Sequence, residues 1–199
     1  LTGPSHAEEV VLQKLTMVAA ASDNEYHSKV VQEIFSNKTY FRVYRVNDLV
    51  GAELGGSLKN IIAFCAGTIT GLELGDNSFA ALITRGLGEL TRLGVELGGK
   101  QETFYGLSGL GDLIVTCLSE HSRNRRAGKL IGQGKTLEET KQEVGMVIES
   151  IDNIEVAYEL CKVHKVEMPI VEMVYKVIYE KLDPQEAVKT LMTREKKAE

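Results

Sequence analysis

Tryptophan is absent from the 199-residue sequence, and proline and cysteine occur only three times each. Cys65, Cys117 and Cys161 lie far apart and form no C-x-x-C pair. They are typical of core thiols in a reducing cytoplasm, and not of a disulfide framework or a zinc centre. The four histidines show no metal-ligand spacing either, so no metal is expected.

Long apolar runs and a secretory signal are also lacking. No run of about 18 apolar residues occurs, so no membrane span is predicted. The first residues contain no charged segment followed by an apolar one, as a signal peptide would. These features, together with the cysteine usage, predict a cytoplasmic protein.

The charge balance excludes a general attraction to nucleic acid or to anionic lipid, because the net charge is −5. Any recognition of an anion must therefore be local. The composition, 43% hydrophobic and 26% charged, is that of an ordinary globular protein. A dinucleotide-binding glycine fingerprint is absent, since the glycines of Gly106-Leu-Ser-Gly-Leu-Gly111 have the wrong spacing and follow no strand.

The first 48 residues differ in pattern from the rest. Thr16 to Ala21 and Tyr40 to Val46 are predicted strands, and Tyr26 to Phe35 has helical spacing between them. So small a sheet is not stable alone and needs further strands. Residues 1–48 are therefore predicted to be the α/β remnant of a larger domain, and residues 49–199 an all-helical domain, which makes the fold mainly α.

Helix ends are marked by specific residues. Apolar residues recur at three- and four-residue steps from Leu54 to Ile69, and again from Phe79 in a helix that ends at Gly98-Gly99. Capping boxes or helix starts are predicted at three further places, namely Ser5 with Glu8, Thr136 with Glu139, and Asp183 followed by Pro184.

Lys59 and Asp112 are the two residues whose types point most directly to chemistry. Lys59 lies on a helix that is apolar on most sides, where a lysine either extends its amine to water or is held in a cleft as an acid and base. Asp112 follows a glycine turn, where an acid either caps a helix or binds a hydroxyl or Lys59. Thr116, one helical turn later, either joins this polar group or bonds its own backbone.

Ser122-Arg-Asn-Arg-Arg126 is a cationic segment without an acid. Its guanidinium, amide and hydroxyl donors suit a phosphate or a carboxylate. The alternative is a solvated basic face at a turn. Three arginines so close together on a helix cannot all face one ligand, so at most two act together.

Six motifs in this order resemble the bacterial NAD(P)-dependent glycerol-3-phosphate dehydrogenase family over essentially the whole chain. They are Gly3-Pro-Ser-His-Ala-Glu-Glu9, Glu53-Leu-Gly-Gly-Ser-Leu-Lys-Asn60, Gly75-Asp-Asn77, Ala81-Leu-Ile-Thr-Arg-Gly86, Gly109-Leu-Gly-Asp-Leu113 and Ser122-Arg-Asn-Arg-Arg126. The resemblance implies a helical domain like the C-terminal domain of 6-phosphogluconate dehydrogenase. It also implies reversible reduction of dihydroxyacetone phosphate to sn-glycerol 3-phosphate for glycerophospholipid synthesis.

The same resemblance implies the roles of individual residues. Lys59 and Asp112 would be catalytic, with Lys59 giving a proton to the ketone oxygen. Substrate would be bound by Lys59 and Asp112 together with Gly3, Ser5, Asn60, Thr116, Ser122, Arg123 and Asn124. NAD(P)H would contact Ala7, Arg123, Val147 and Glu149.

The family also has an N-terminal Rossmann half, which these 199 residues lack. Leu1 in place of methionine supports a piece of a longer protein, so we expect this chain alone to bind NAD(P)H poorly and to be inactive. A homodimer is compatible with the sequence. Two alternatives remain at this point: another dehydrogenase with the same helical domain and a different phosphorylated or carboxylated substrate, and a non-catalytic helical interaction module.

Overall fold

A computed structural model describes residues 1–195 of the chain, which begins with a β-α-β unit. Strand β1 (Thr16–Ala21) and strand β2 (Phe41–Val46) run parallel, and helix α2 (Glu25–Phe35) connects them. The predicted strand, helix and strand are thereby confirmed. A short helix, α1 (Ala7–Val11), precedes β1.

The sheet is small. Thr16 pairs with Phe41 and Ala21 with Val46, and within residues 1–195 only an antiparallel bridge between Thr2 and Ala19 extends this pairing. Its own apolar core consists of Val18, Ala20 and Val43.

From Leu49 to Met192 the described chain is helical, and the prediction of a mainly α fold is confirmed. The helices are α3 (Leu49–Gly71), α4 (Gly75–Glu96), α5 (Gln101–Phe104), α6 (Asp112–Leu118), α7 (Arg123–Gly132), α8 (Leu137–Val144), α9 (Glu149–His164), α10 (Pro169–Tyr179) and α11 (Pro184–Met192). A π-helical turn, Leu107–Gly111, leads directly into α6.

Helix α3 lies at the centre of the large apolar core. Ile61, Ile62, Ala63 and Phe64 are fully buried, which explains why this helix is apolar on most of its sides. By length and composition alone α3 could cross a membrane, since the mean hydropathy of its most apolar window is 1.2. That window is 56% buried inside the protein, as expected for a core helix.

Helices α3 and α7 cross at very short distance because glycines line both sides of the contact. A Cβ atom on Gly128 would lie 1.8 Å from the carbonyl oxygen of Phe64, and one on Gly67 would lie 1.9 Å from that of Arg125. Only glycine fits at these two positions, because backbone occupies the space that a side chain would need. The crossing brings the first turn of α7 beside the middle of α3.

Side chains cap several helices, two of them as predicted. Asp48 accepts a hydrogen bond from the Gly51 amide at 2.8 Å at the start of α3. Thr136 and Glu139 form the predicted capping box, with the Glu139 carboxylate accepting from the Thr136 amide at 2.8 Å. Asp183 caps α11 as predicted, with Pro184 as its first residue.

The predicted cap at Ser5 is wrong. The first residue before α1 is His6, and no side chain caps that helix. Ser5 instead donates its hydroxyl proton to the Gly3 carbonyl oxygen at 3.0 Å, which holds the turn before the helix.

Glu89 is an acid in the apolar core, with only 2% of its surface exposed. Its carboxylate accepts hydrogen bonds from the amides of Ile170, at 2.8 and 3.0 Å, and Val171, at 3.2 Å, at the start of α10. Burial raises the pKa of Glu89 to about 7, although these bonds act in the opposite direction. Glu89 thus links α4 to α10.

Candidate active site

One cavity of about 380 Å³ collects polar residues from α3, α6, α7, α9 and the segment before α1. It is lined by Gly3, Ser5, His6, Gly56, Lys59, Asn60, Asp112, Thr116, His121, Ser122, Arg123, Asn124 and Glu149. All nine residues predicted to bind substrate are among them. We call this space the Lys59 cavity.

Helix α3 contributes Gly56, Lys59 and Asn60. These residues are three and four positions apart, so they share one face of the helix. The side chain of Lys59 is only 19% exposed, and its Nζ forms an ion pair with Asp112 Oδ2. The amine therefore does not extend to water, which was the alternative interpretation of this lysine.

Asp112 is placed by the π-helical turn, which packs closely on α3. A Cβ atom on Gly55 would lie 2.7 Å from the Ser108 carbonyl oxygen. The Asp112 amide donates to the carbonyls of Leu107 and Gly109, and no side chain caps the start of α6. The interpretation of Asp112 as a helix cap is wrong. Its side chain is only 8% exposed, and its carboxylate forms the ion pair with Lys59.

The Lys59–Asp112 pair is shielded from bulk water on most sides. An ion pair in such a place interacts more strongly than one on the surface, because the local dielectric constant is lower. It also fixes both side chains, since either charge alone would be costly to bury. The cavity thus presents a positioned ammonium group beside a positioned carboxylate.

Thr116 lies one turn after Asp112 on α6. Its hydroxyl donates to the Asp112 carbonyl oxygen at 2.6 Å, and it lies 3.4 Å from Asp112 Oδ1. Both interpretations of this residue hold, because it bonds its own backbone and also lines the cavity.

The first turn of α7 brings a second polar group to the cavity, which we call the anion subsite: Ser122, Arg123 and Asn124. Ser122 caps the helix by accepting from the Arg125 amide at 3.2 Å. Asn124 is buried, and its side-chain oxygen accepts from the Ser150 amide at 2.9 Å.

Glu149, the first residue of α9, contacts two members of the anion subsite. Its Oε1 forms an ion pair with Arg123 Nη2. Its Oε2 accepts a hydrogen bond from Asn124 Nδ2 at 3.3 Å. The cavity therefore contains two cation–carboxylate pairs, Lys59 with Asp112 and Arg123 with Glu149.

The remaining arginines of the cationic segment face elsewhere, as predicted for three arginines on one helix. Arg125 forms an ion pair with Glu120, and Arg126 donates to the Glu143 carbonyl oxygen at 3.0 Å. Both line a separate polar cavity of about 290 Å³.

Two of the four residues predicted to contact NAD(P)H, Ala7 and Val147, do not line the Lys59 cavity. Both are exposed, and each lies within two positions of a lining residue, His6 or Glu149. The sequence predictions missed His6, His121 and Gly56 as lining residues. The available signal was that His6 and His121 directly neighbour Ser5 and Ser122, and that Gly56 precedes Lys59 by three residues on the same helix. Within residues 1–195 no three acidic, histidine or cysteine side chains are grouped as a metal would require.

Comparison with known proteins shows the family of the chain. The family model for the C-terminus of NAD-dependent glycerol-3-phosphate dehydrogenase matches residues 48–189 of the chain. The chain is 55% identical over its whole length to a glycerol-3-phosphate dehydrogenase (NAD(P)+) of Geobacillus thermodenitrificans, and 57% identical to one of a Thermoanaerobacter strain. It spans 58% and 60% of the length of these two relatives.

Solved structures give the same result. The crystal structure of a glycerol-3-phosphate dehydrogenase from Coxiella burnetii superposes with a TM-score of 0.92 at 46% identity, covering 97% of this chain and 59% of that one. A glycerol-3-phosphate dehydrogenase of Plasmodium falciparum gives a TM-score of 0.89 at 25% identity, covering 99% of this chain and 57% of that one. The chain therefore belongs to the NAD-dependent glycerol-3-phosphate dehydrogenase family and contains its C-terminal region.

Proposed function

We propose that this chain is the substrate-binding and catalytic part of an enzyme that reversibly reduces dihydroxyacetone phosphate to sn-glycerol 3-phosphate with NAD(P)H. The product would serve glycerophospholipid synthesis. The proposal is carried by one observation: the buried Lys59–Asp112 pair and the cationic anion subsite line the same cavity. This arrangement suits a small molecule with a carbonyl at one end and a phosphate at the other.

Lys59 is the proposed acid and base. Reduction of a ketone places negative charge on its oxygen, and a nearby ammonium group stabilises that charge and supplies the proton. In the reverse direction the neutral amine accepts the proton from the alcohol. The partial burial of the Lys59 side chain supports this role, because the amine is largely shielded from bulk water.

Asp112 is proposed to hold the Lys59 amine in place and to accept a hydrogen bond from a substrate hydroxyl. It has a second carboxylate oxygen, Oδ1, for that purpose, near the Thr116 hydroxyl. Asn60, which follows Lys59 on α3, would contact the same end of the substrate.

The anion subsite is proposed to bind the phosphate. Guanidinium and amide donors form charge-assisted hydrogen bonds with phosphate oxygens, and Arg123 and Asn124 supply both kinds. Gly3 and Ser5, which line the same cavity, would also contact the substrate. A phosphate held away from the reacting carbon orients the carbonyl, and this orientation contributes to the rate.

The cofactor, when bound, supplies the hydride. Ala7, Arg123, Val147 and Glu149 are the residues proposed to contact it. Arg123 and Glu149 line the cavity, whereas Ala7 and Val147 are exposed and follow or precede lining residues in the sequence. No glycine fingerprint for the pyrophosphate occurs in the 199 residues. We therefore propose that the 199-residue chain alone binds NAD(P)H weakly and does not catalyse the reaction.

We further propose that residues 1–48 and 49–199 belong to different domains. Asp48 caps α3, the first helix of the helical part, and the family model starts at the same residue. The β-α-β unit would then continue the sheet of a dinucleotide-binding domain, since two strands are too few for a stable sheet.

The test is oxidation of NADH and NADPH by the full-length protein that carries this chain, with dihydroxyacetone phosphate and with other phosphorylated or carboxylated keto compounds. Arg123→Ala should raise the KM for dihydroxyacetone phosphate at least tenfold, because a charged hydrogen bond contributes about 1.5–3 kcal/mol. Arg126→Ala is the matched control, since Arg126 lies on the same helix but faces away from the cavity.

The substrate series separates the alternatives. Faster turnover of a different keto compound would identify another dehydrogenase of this fold. Absence of turnover with every compound in a folded protein that binds NAD(P)H would favour the non-catalytic module.

A further inference from the structure

We infer that the Glu149 carboxylate occupies the anion subsite in the absence of substrate and is displaced by the substrate's phosphate. This inference rests on the proposed phosphate-binding role of that subsite. It assigns to Glu149 the role of an internal competitor that sets the affinity for phosphorylated ligands.

The first support is the pattern of contacts. The two oxygens of the Glu149 carboxylate accept hydrogen bonds from two different members of the subsite. Oε1 accepts from the Arg123 guanidinium, and Oε2 accepts from the Asn124 side-chain amide. Two phosphate oxygens would make the same pair of contacts. The carboxylate therefore stands where the anionic group of a ligand would bind.

The second support is that Asn124 cannot easily turn to another partner. It is only 5% exposed, and its side-chain oxygen accepts the Ser150 amide proton at 2.9 Å. Its Nδ2 group is thereby directed toward the position that Glu149 now fills. A phosphate that uses this donor must take the place of the carboxylate.

The third support is the exposure of the carboxylate end. The side chain of Glu149 is 40% exposed, so its charge can move into water when a ligand arrives. A phosphate and a carboxylate side by side at one guanidinium repel each other, which favours this exchange. Lys59 is paired with a different carboxylate, that of Asp112, whose side chain is far more buried than that of Glu149.

The test measures binding of inorganic phosphate and of glycerol 3-phosphate to the full-length protein by calorimetry, without cofactor or turnover. Glu149→Gln retains the size of the side chain, but it removes the charge and replaces one of the two accepting oxygens by an NH₂ donor. We expect it to bind both ligands about tenfold more tightly, the factor that corresponds to one competing charged hydrogen bond. Glu149→Asp, with a carboxylate that reaches less far, should give a smaller gain.

The matched control is Glu143→Gln. Glu143 is also paired with a cation, Lys135, but it does not line the Lys59 cavity, so phosphate affinity should not change. A gain in affinity cannot result from damage to the fold, which makes the expected direction diagnostic.

If Glu149→Gln bound phosphate no more tightly than the unchanged protein, the inference would be overturned. Glu149 would then only hold the Arg123 side chain in place. Undetectable phosphate binding by all variants would overturn it as well. Because no turnover is measured, failure of the proposed dehydrogenase activity would not change either result.

Discussion

Replacement of Gly128 by alanine tests how the crossing of α3 and α7 builds the site. The new Cβ atom would lie 1.8 Å from the Phe64 carbonyl oxygen and 3.0 Å from the Thr68 amide nitrogen. The first distance is about half of the 3.4 Å at which ordinary contact begins. Backbone stands on both sides of this clash, so no side-chain rotation relieves it and the helices must separate.

The magnitude follows from two opposing terms. Overpacking costs about 1–3 kcal/mol, with the upper end expected here because backbone is displaced. Alanine gains about 1 kcal/mol over glycine in helix propensity. The net loss is about 2 kcal/mol, which lowers the melting temperature by about 4–8 °C for a domain of this size. Movement of Arg123 relative to Lys59 by about 1 Å would also reduce turnover by about 10²-fold.

The assay is thermal unfolding followed by circular dichroism, together with turnover of the full-length protein below its melting temperature. Gly88→Ala in α4 is the matched control, because its Cβ would meet only the mobile end of Arg92 at 3.5 Å. That variant should be neutral or gain up to about 1 kcal/mol. If Gly128→Ala were as stable and active as Gly88→Ala, the close crossing would not be what positions the two parts of the site.

Two further predictions concern stability. The raised pKa of Glu89, about 7 against an ordinary 4.5, means that the folded state holds its proton more tightly than the unfolded state. Stability should therefore fall by about 3 kcal/mol as the pH rises from 4.5 to 7, and Glu89→Gln should lack this part of the pH dependence in urea unfolding. Parallel pH profiles of the two proteins would contradict the assignment. Thr136→Ala should lose about 1 kcal/mol by breaking the capping box. Thr84→Ala, whose hydroxyl bonds only its own helix, should lose nothing, and equal losses would exclude the box as the cause.

Local sequence signals predicted the elements and several helix ends correctly. Strand patterns predicted β1 and β2. The turn at Gly98 and the caps at Thr136 and Asp183 were predictable because they depend on residues close together in the sequence. Ser5 carried the same kind of signal and failed, because its hydroxyl found a carbonyl two residues away. A short-range pattern cannot decide between two such competing short-range bonds.

The site was less predictable because its geometry depends on contacts between distant segments. The sequence alone left Lys59 and Asp112 undecided, since their pairing joins residues 53 positions apart. The resemblance named Arg123 and Glu149 as contacts of the same cofactor, but no local pattern indicated an ion pair between them. The glycines at four-residue spacing, Gly67 with Gly71 and Gly128 with Gly132, were a usable signal for a close helix crossing. The buried acid Glu89 had no signal, because its partners are amides on another helix.

The central claim is that the Lys59 amine transfers the proton to and from the substrate oxygen, and chemical rescue tests it most directly. Lys59→Ala in the full-length protein should lower kcat for dihydroxyacetone phosphate by about 10²–10⁴-fold. Added methylamine or ethylamine should restore part of that rate in proportion to its concentration, while the exposed control Lys38→Ala should neither lose activity nor respond. A Lys59→Ala protein with kcat within a few-fold of the unchanged protein, or one whose lost rate no amine restores, would contradict the account.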